Sequence, residues 1–207
     1  FRFVPPGPTI QPVEWQACLA QLENAQCKFM VLSGSLPRGM PGDFYGQVAA
    51  LMHRRNIPVV LDSSGPGLKG GLQEGRIFLV KPSIGELRQF TGQKLATPDE
   101  IANAAMEIVR SGQAAHVAVT MGHDGAILAT ATGQLFLPAA SIEAKSAVGA
   151  GDSFLSAMLF AISIGWDTAE AFRFGIAAGA AAVMSPGHDL ARPDNIQHLY
   201  QQVTPIP

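Results

Sequence analysis

The sequence is poor in charged residues and in cysteine. Charged side chains make up 14% of the 207 residues and the formal net charge is −2, so the charge balance does not indicate binding to nucleic acid or to an anionic membrane. No apolar run approaches the roughly 20 residues that a membrane span needs, and the first residues lack the features of a secretory leader. Cys18 and Cys27 form no C-x-x-C pair, which is typical of reduced thiols. We therefore expect a cytoplasmic protein with neither nucleic-acid nor membrane partners.

Two common signatures of metal and nucleotide sites are also missing. The five histidines form no H-E-x-x-H or H-x-x-x-H pair, so we do not expect a structural zinc site. The Walker A pattern G-x-x-x-x-G-K-[ST] does not occur, so any phosphate binding must be of another kind. Hydrophobic residues make up 47% of the chain, which is typical of one globular α/β domain with a large core.

Short apolar runs alternate with segments of helical periodicity along the chain. The alternation predicts a parallel sheet with helices on both faces, and ligands of such sheets bind beyond the carboxyl ends of the strands. Ser35, Asp62 and Lys81 all fall at the carboxyl ends of predicted strands. The predicted strands are 28–33, 57–62, 76–81, 116–121, 127–130 and 134–138, and the main predicted helices are 13–27, 44–55, 97–111, 154–164 and one that begins at Asp167.

The stretch Gly149-Ala150-Gly151-Asp152 comes directly before a long apolar run that begins at Phe154. The run predicts a buried helix, so the glycines lie at its N-terminus, where free backbone amides and the helix dipole favour anions such as phosphate. Asp152 beside such a site is a candidate general base, because the amides would hold the developing negative charge. The alternative is a tight turn in which Asp152 only caps the helix.

The segment Ser146–Asp152 resembles the C-terminal signature D-T-x-G-A-G-D of the ribokinase-like (pfkB) carbohydrate kinases, although Ser146 and Ala147 replace its Asp and Thr. The resemblance implies that Asp152 is the base on the acceptor hydroxyl and contacts the substrate. It also implies that the amides of Gly149–Gly151 hold charge on the transferred phosphoryl group.

The resemblance extends over nearly the whole chain. It is closest to the minor-type 6-phosphofructokinases, with tagatose-6-phosphate kinases and 1-phosphofructokinases beside them. It implies an α/β, three-layer α/β/α fold with a mostly parallel sheet. It also implies that residues 1–207 are the C-terminal portion of a single kinase domain, without its N-terminal part and β lid.

Two further segments resemble the sugar and phosphate loops of these kinases. Gly34–Gly39 matches G-S-L-P-x-G, which implies that Ser35 contacts the sugar phosphate; the alternative is an ordinary Pro/Gly turn. The run that starts at Lys81 matches K-P-N-x-x-E except that Ser83 replaces the Asn. The resemblance places Lys81 and Ser83 near the nucleotide phosphates and gives Glu86 a role in binding Mg²⁺ through water. Ser83 and Glu86 also match a helix capping box, S-x-x-E, which is compatible with that role.

The nucleotide base and a monovalent cation have candidate positions by resemblance alone. The T-x-G-x-x-G loop would use Thr120, Gly122 and Gly125 against the nucleotide, and a helix rich in small residues would border adenine through Ile176 and Ala180. Small residues also allow close packing of helices, which is the alternative. Backbone carbonyls of the following four residues would bind a potassium-type cation: Ser146, Val148, Ser185 and Gly187.

The stretch Gly65–Gly70 matches G-x-G-x-x-G letter for letter. The dinucleotide fingerprint needs glycines in the turn that leaves a strand and opens a helix. Ser63 and Ser64 come between the predicted strand and the glycines, and Gly70 and Gly71 weaken any helix. We therefore expect no helix start and no nicotinamide or flavin site here.

The sequence thus predicts phosphoryl transfer from MgATP to a sugar hydroxyl, with fructose 6-phosphate as the expected acceptor and fructose 1,6-bisphosphate as the product. The open alternatives are tagatose 6-phosphate, fructose 1-phosphate or an unphosphorylated sugar, a nucleotide-binding fragment without turnover, and a dinucleotide-dependent oxidoreductase. The expected cofactors are ATP, Mg²⁺ and K⁺, and the full-length protein is expected to be a homodimer. The 207-residue chain alone is expected to turn over poorly.

Overall fold

The computed structural model describes residues 7–143, 145, 146, 148–185 and 191–203. The chain divides into two compact units, the first made of Phe1–Lys94 and Glu107–His116 and the second of Leu95–Met106 and Val117–Pro207. Six strands hydrogen-bond in the order in which they occur in the chain and form one sheet. The α/β class with a mostly parallel sheet is as predicted. None of the helices in the described ranges is long and apolar enough to cross a membrane.

The first unit contains three parallel strands and the helices that connect them. The strands are β1 (Met30–Ser33), β2 (Val59–Asp62) and β3 (Ile77–Val80), and the helices are α1 (Pro12–Leu22), α2 (Phe44–Arg54), α3 (Gly65–Glu74) and α4 (Ile84–Thr91). Ser33 is the register partner of Asp62, and Leu61 is the partner of Val80. The three strands therefore end at one edge of the sheet. The boundary between the units falls within α5 (Pro98–Arg110) and β4 (Ala114–Thr120).

The second unit contains an antiparallel strand pair and three helices. The elements are β5 (Ala126–Thr130), β6 (Gly133–Leu137), α6 (Ala150–Ser163), α7 (Thr168–Val183) and α8 (Pro193–Gln202). The turn before β5 is a short 3₁₀ turn, Gly122–Asp124. The helix α8 is absent from the prediction, because its sequence is mostly polar and only Leu199 is buried.

The glycine-rich stretch 65–71 forms the helix α3, so the expectation of no helix start was wrong. Its glycines allow a closer approach of neighbouring elements than any other residue would. A Cβ on Gly70 would lie 2.5 Å from the carbonyl oxygen of Gly42, and one on Gly71 would lie 2.6 Å from the Leu61 side chain. Burial of the surrounding apolar surface offsets the cost of glycine in a helix, about 1 kcal/mol per residue.

Two further predictions need correction. The first helix ends at Leu22 rather than at Cys27, and none of its side chains is buried. The apolar run of α6 is buried on one face only, since Phe160 is 59% exposed and Ile164 is 56% exposed. Apolar composition alone therefore overstates the burial of this helix.

Candidate functional site

A buried ion pair lies at the carboxyl ends of β2 and β3 in the first unit. The Lys81 ammonium is 3.1 Å from a carboxylate oxygen of Asp62, and the two side chains are 6% and 14% exposed. A buried ammonium is strongly disfavoured unless a counter-ion accompanies it. The Asp62 carboxylate therefore stabilises the buried positive charge of Lys81 and fixes the position of its ammonium group. The sequence offered one signal for this role of Asp62, a carboxylate that ends one strand where a lysine ends the next.

The loop that carries Ser35 leaves the end of β1 in the same unit. Gly34 has a φ of +90°, and its amide donates to the carbonyl oxygen of Asp62 at 2.9 Å. Ser35 is exposed. The loop therefore starts from the edge at which Asp62 and Lys81 lie.

The capping box at the start of α4 is formed as predicted. The Ser83 hydroxyl accepts from the Glu86 amide at 3.3 Å, and the Ser83 amide donates to one carboxylate oxygen of Glu86 at 2.7 Å. The second oxygen of the Glu86 carboxylate lies outside the box. This arrangement fits a water-mediated contact to Mg²⁺, because carboxylate oxygens are ligands that this hard cation prefers.

In the second unit, α6 begins at the predicted glycine-rich stretch. Gly149 is the N-cap residue with φ +78°, in the left-handed region that favours glycine, and it has no side chain with which to cap the helix. The first intrahelical bond runs from the Ser153 amide to the Gly149 carbonyl. The three preceding amides, 150–152, therefore form the positive end of a fourteen-residue helix, which is the kind of site that binds phosphate.

Asp152 is the third residue of α6 and is exposed. The alternative interpretation, in which Asp152 is the N-cap, is wrong because Gly149 occupies that position. The side chain of Asp152 therefore does not serve as the cap of its helix, and it lies in the first turn, where a carboxylate is electrostatically favoured.

The turn between β4 and β5 contains the predicted nucleotide loop. Gly122 is exposed with φ +63°, whereas Gly125 is buried with φ +106°. A Cβ on Gly125 would lie 2.2 Å from the carbonyl oxygen of Leu137, so chain packing requires glycine there with or without a ligand. Thr120, the last residue of β4, is half-buried.

Two of the small residues of α7 pack closely against α6. A Cβ on Gly175 would lie 2.9 Å from the carbonyl oxygen of Phe154, and one on Gly179 would lie 3.2 Å from that of Ala150. These two glycines thus allow the close packing of α7 on α6 that the alternative interpretation predicted. Ile176 is 6% exposed and Ala180 is half-buried, and neither is needed for that close approach.

Two of the candidate cation residues, Ser146 and Ser185, lie near the end of α7. The amides of Lys145 and Ser146 both donate to the carbonyl oxygen of Val183, at 2.9 and 3.1 Å, and Ser185 follows two residues later and is buried. Val148 is 59% exposed. Gly187 lies outside the described residues.

The family model for pfkB family carbohydrate kinases matches residues 7–195. The chain belongs to the pfkB family of carbohydrate kinases. Among its relatives, the ATP-dependent 6-phosphofructokinase isozyme 2 of Mycobacterium tuberculosis is 38% identical over 203 residues, 97% of this chain and 59% of the relative. The 1-phosphofructokinase of Bacillus subtilis is 34% identical over 95% of this chain and 64% of the relative.

A solved structure of a pfkB relative has the same fold. The crystal structure of phosphofructokinase-2 from Escherichia coli in complex with potassium superposes with a TM-score of 0.93 at 34% identity, over 98% of this chain and 66% of the other. The chain thus spans about three fifths to two thirds of the length of the relatives that it matches. Membership in the pfkB family excludes the dinucleotide oxidoreductase alternative, and the buried glycines of α3 have a packing role instead.

Proposed function

We propose that the full-length protein is an ATP-dependent phosphosugar kinase that phosphorylates fructose 6-phosphate at its 1-hydroxyl. One observation carries the proposal: α6 of this pfkB-family chain begins with amides that precede its first intrahelical hydrogen bond, beside the exposed carboxylate of Asp152. That pairing suits a reaction in which a hydroxyl loses a proton while a phosphoryl group carries negative charge.

The proposed roles combine the resemblance to the pfkB kinases with the local chemistry of each residue. Asp152 accepts the proton of the acceptor hydroxyl, and the amides of Gly149–Gly151 stabilise charge on the phosphoryl oxygens. Lys81, which Asp62 holds in place, neutralises the nucleotide phosphates, and Ser83 lies near them. Phosphoryl transfer depends mainly on such positioning and charge stabilisation.

The remaining groups would bind the nucleotide and its ions. Glu86 would hold Mg²⁺ through water, and the ion when bound would neutralise charge on the phosphates. Thr120, Gly122 and Gly125 would lie along the nucleotide. Ile176 and Ala180 would border the adenine ring. Backbone carbonyls of Ser146, Val148, Ser185 and Gly187 would take K⁺, and a potassium complex of the Escherichia coli relative is consistent with this assignment.

Fructose 1-phosphate is a second candidate acceptor, because the Bacillus subtilis relative at 34% identity is a 1-phosphofructokinase. The discriminating experiment measures ADP release by the full-length protein with fructose 6-phosphate, fructose 1-phosphate, tagatose 6-phosphate and fructose. We expect the highest kcat/KM for fructose 6-phosphate. A preference for unphosphorylated fructose, or no sugar-dependent ADP release, would contradict the proposal.

The 207-residue chain by itself is expected to release little ADP, since it spans only 59% of the Mycobacterium tuberculosis relative. A parallel assay on this chain and on the full-length protein tests that expectation. Comparable turnover by the two proteins would show that the 207-residue chain suffices for catalysis. The homodimer and the cytoplasmic location stay predictions.

A further inference from the structure

The peptide group between Gly34 and Ser35 is held by two hydroxyl groups. The carbonyl oxygen of Gly34 accepts from the Tyr45 hydroxyl at 3.0 Å and from the Ser63 hydroxyl at 2.9 Å, and the Tyr45 hydroxyl also lies 3.2 Å from the carbonyl oxygen of Ser33. Tyr45 lies on α2, and Ser63 directly follows β2 and is 4% exposed. Together with the Gly34 amide bond to Asp62, these contacts fix a glycine that would otherwise have the widest conformational freedom of any residue.

Fixing this carbonyl also fixes the amide of Ser35. A trans peptide group is planar, and its N–H points opposite to its C=O. Because the carbonyl of Gly34 is turned toward Tyr45 and Ser63, the Ser35 amide is turned away from them. Within the described part of the chain neither the amide nor the hydroxyl of Ser35 has a hydrogen-bond partner, and Ser35 is exposed. The exposed Ser35 thus offers two hydrogen-bond donors, an oriented amide and a hydroxyl.

We propose that Tyr45 and Ser63 are positioning residues for the phosphate group of the acceptor. They hold the Gly34 carbonyl so that the amide of Ser35 is oriented for an oxygen of a phosphate monoester before it binds, and the Ser35 hydroxyl beside it can donate to the same group. This inference rests on the proposed function, which supplies the phosphosugar. Its physical basis is preorganisation, since a loop ordered in advance loses less conformational entropy on binding.

The glycine-rich start of α3 supports this arrangement. A Cβ on Gly67 would lie 2.6 Å from the Ser63 hydroxyl oxygen and 3.0 Å from the Tyr45 ring. Only glycine at this position leaves room for both hydroxyl-bearing side chains. The middle glycine of the stretch that resembles a dinucleotide fingerprint, Gly67, is therefore explained by the packing of α3 against these two groups. Burial also raises the pKa of Tyr45, which keeps its hydroxyl protonated and able to donate.

The test compares full-length Tyr45→Phe, Ser63→Ala and the double variant with the parent. Each single change removes one of two bonds to the same carbonyl, so we expect KM for fructose 6-phosphate to rise roughly 3- to 10-fold, and more in the double variant. KM for ATP and kcat should change less than about twofold, because this interaction would be made equally in the ground state and the transition state. A merely structural role would lower Tm without this selective rise.

The chain contains two tyrosines, so Tyr200→Phe is a matched control. The Tyr200 hydroxyl donates to Glu170 within the second unit, and its loss should lower Tm and leave both KM values unchanged. An unchanged KM for fructose 6-phosphate in the double variant, with the fold intact, would overturn the inference.

A second measurement separates this inference from the proposed function. The amide NMR signal of Ser35 in the full-length protein is followed during titration with inorganic phosphate. We expect a saturable shift in the parent, weakened several-fold in the double variant and unchanged in Tyr200→Phe. If the parent turns over no phosphosugar, the proposed function fails. If the Ser35 amide does not respond to phosphate, or responds equally in all variants, the positioning role fails whatever the activity.

Discussion

The two compact units carry candidate groups of different physical kinds. In the first unit the best-defined group is a buried side chain fixed by another side chain, Lys81 paired with Asp62. In the second unit the candidate groups are backbone amides at the start of α6 and the exposed carboxylate of Asp152. A buried charge needs a partner from elsewhere in the fold, whereas a helix N-terminus is an anion site through its own geometry.

This difference predicts which property a substitution in each unit should impair. Changes to the buried contacts of the first unit, such as the pair of Lys81 and Asp62, should disturb stability and positioning together, because the same contacts serve both. Replacing the Asp152 side chain should disturb the chemistry while leaving the fold intact, because it is exposed and no tertiary contact among the described residues depends on it. The following variants of the full-length protein test this contrast.

The largest effect is expected for Asp152→Asn in the second unit. General-base catalysis contributes roughly 10²- to 10⁴-fold, so kcat should fall at least about a hundredfold by the same principle. Tm and the affinity for ATP should be nearly kept, because Asn retains the shape of the side chain. The measurement is ADP release with fructose 6-phosphate. A variant within a few-fold of the parent would remove Asp152 from the mechanism.

Asp62→Asn should give the largest loss of stability in the first unit. The change leaves the buried Lys81 ammonium without its counter-ion, which costs about 3–5 kcal/mol when a buried pair is broken. Urea unfolding measures the free energy directly. Asp124→Asn is the matched control, because Asp124 is 69% exposed in its pair with His123 and should change stability by less than about 0.5 kcal/mol. Equal losses in the two variants would contradict the structural importance of the buried pair.

Ala180→Phe tests the proposed adenine contact on α7. A phenyl group at this half-buried position should occupy the space of the base and weaken ATP binding by about tenfold, in line with overpacking costs of about 1–3 kcal/mol. Affinity for fructose 6-phosphate should stay the same. Calorimetric titration with each ligand checks this. Parallel weakening of both ligands would indicate a general distortion rather than a blocked adenine site.

The smallest effect is expected for Glu86→Gln, and it separates capping from metal binding. Gln also serves in a capping box, so Tm should hardly change while the Mg²⁺ concentration for half-maximal activity rises a few-fold. Glu100→Gln is the matched control, because Glu100 accepts from the amides of Ala96 and Thr97 in the same kind of box. If both variants need the same Mg²⁺ concentration as the parent, Glu86 is only a helix cap.

Local features were predictable wherever the deciding contacts join close neighbours in the chain. The capping box before α4 forms as expected, and Asp167, the predicted start of α7, caps that helix by accepting from the Ala169 amide. The start of α6 was likewise predictable, because glycine at the N-cap and an apolar run beyond it act within one helical turn. The roles of these residues in binding and catalysis stay predictions.

Contacts between distant residues were beyond sequence reasoning. The helix α3 forms although its glycines disfavour it, because Gly70 and Gly71 pack against Gly42 and Leu61. A weakly apolar helix such as α8 also escaped prediction, since its docking depends on Arg173, which donates to the carbonyls of Tyr200 and Val203.

The sequence by itself determined the alternation of strands and helices, the family resemblance and the glycine-rich start of α6. The alternation of strands and helices depends on the hydrophobic period of the sequence. Helix starts depend on hydrogen bonds between close neighbours, such as that between Ser83 and Glu86, three residues apart. Only the tertiary structure decided that Asp62 neutralises Lys81 and that Tyr45 and Ser63 hold Gly34. The latter hydroxyls lie 11 and 29 residues from the carbonyl that they bind, and such partners are chosen by packing of the whole unit rather than by local propensity.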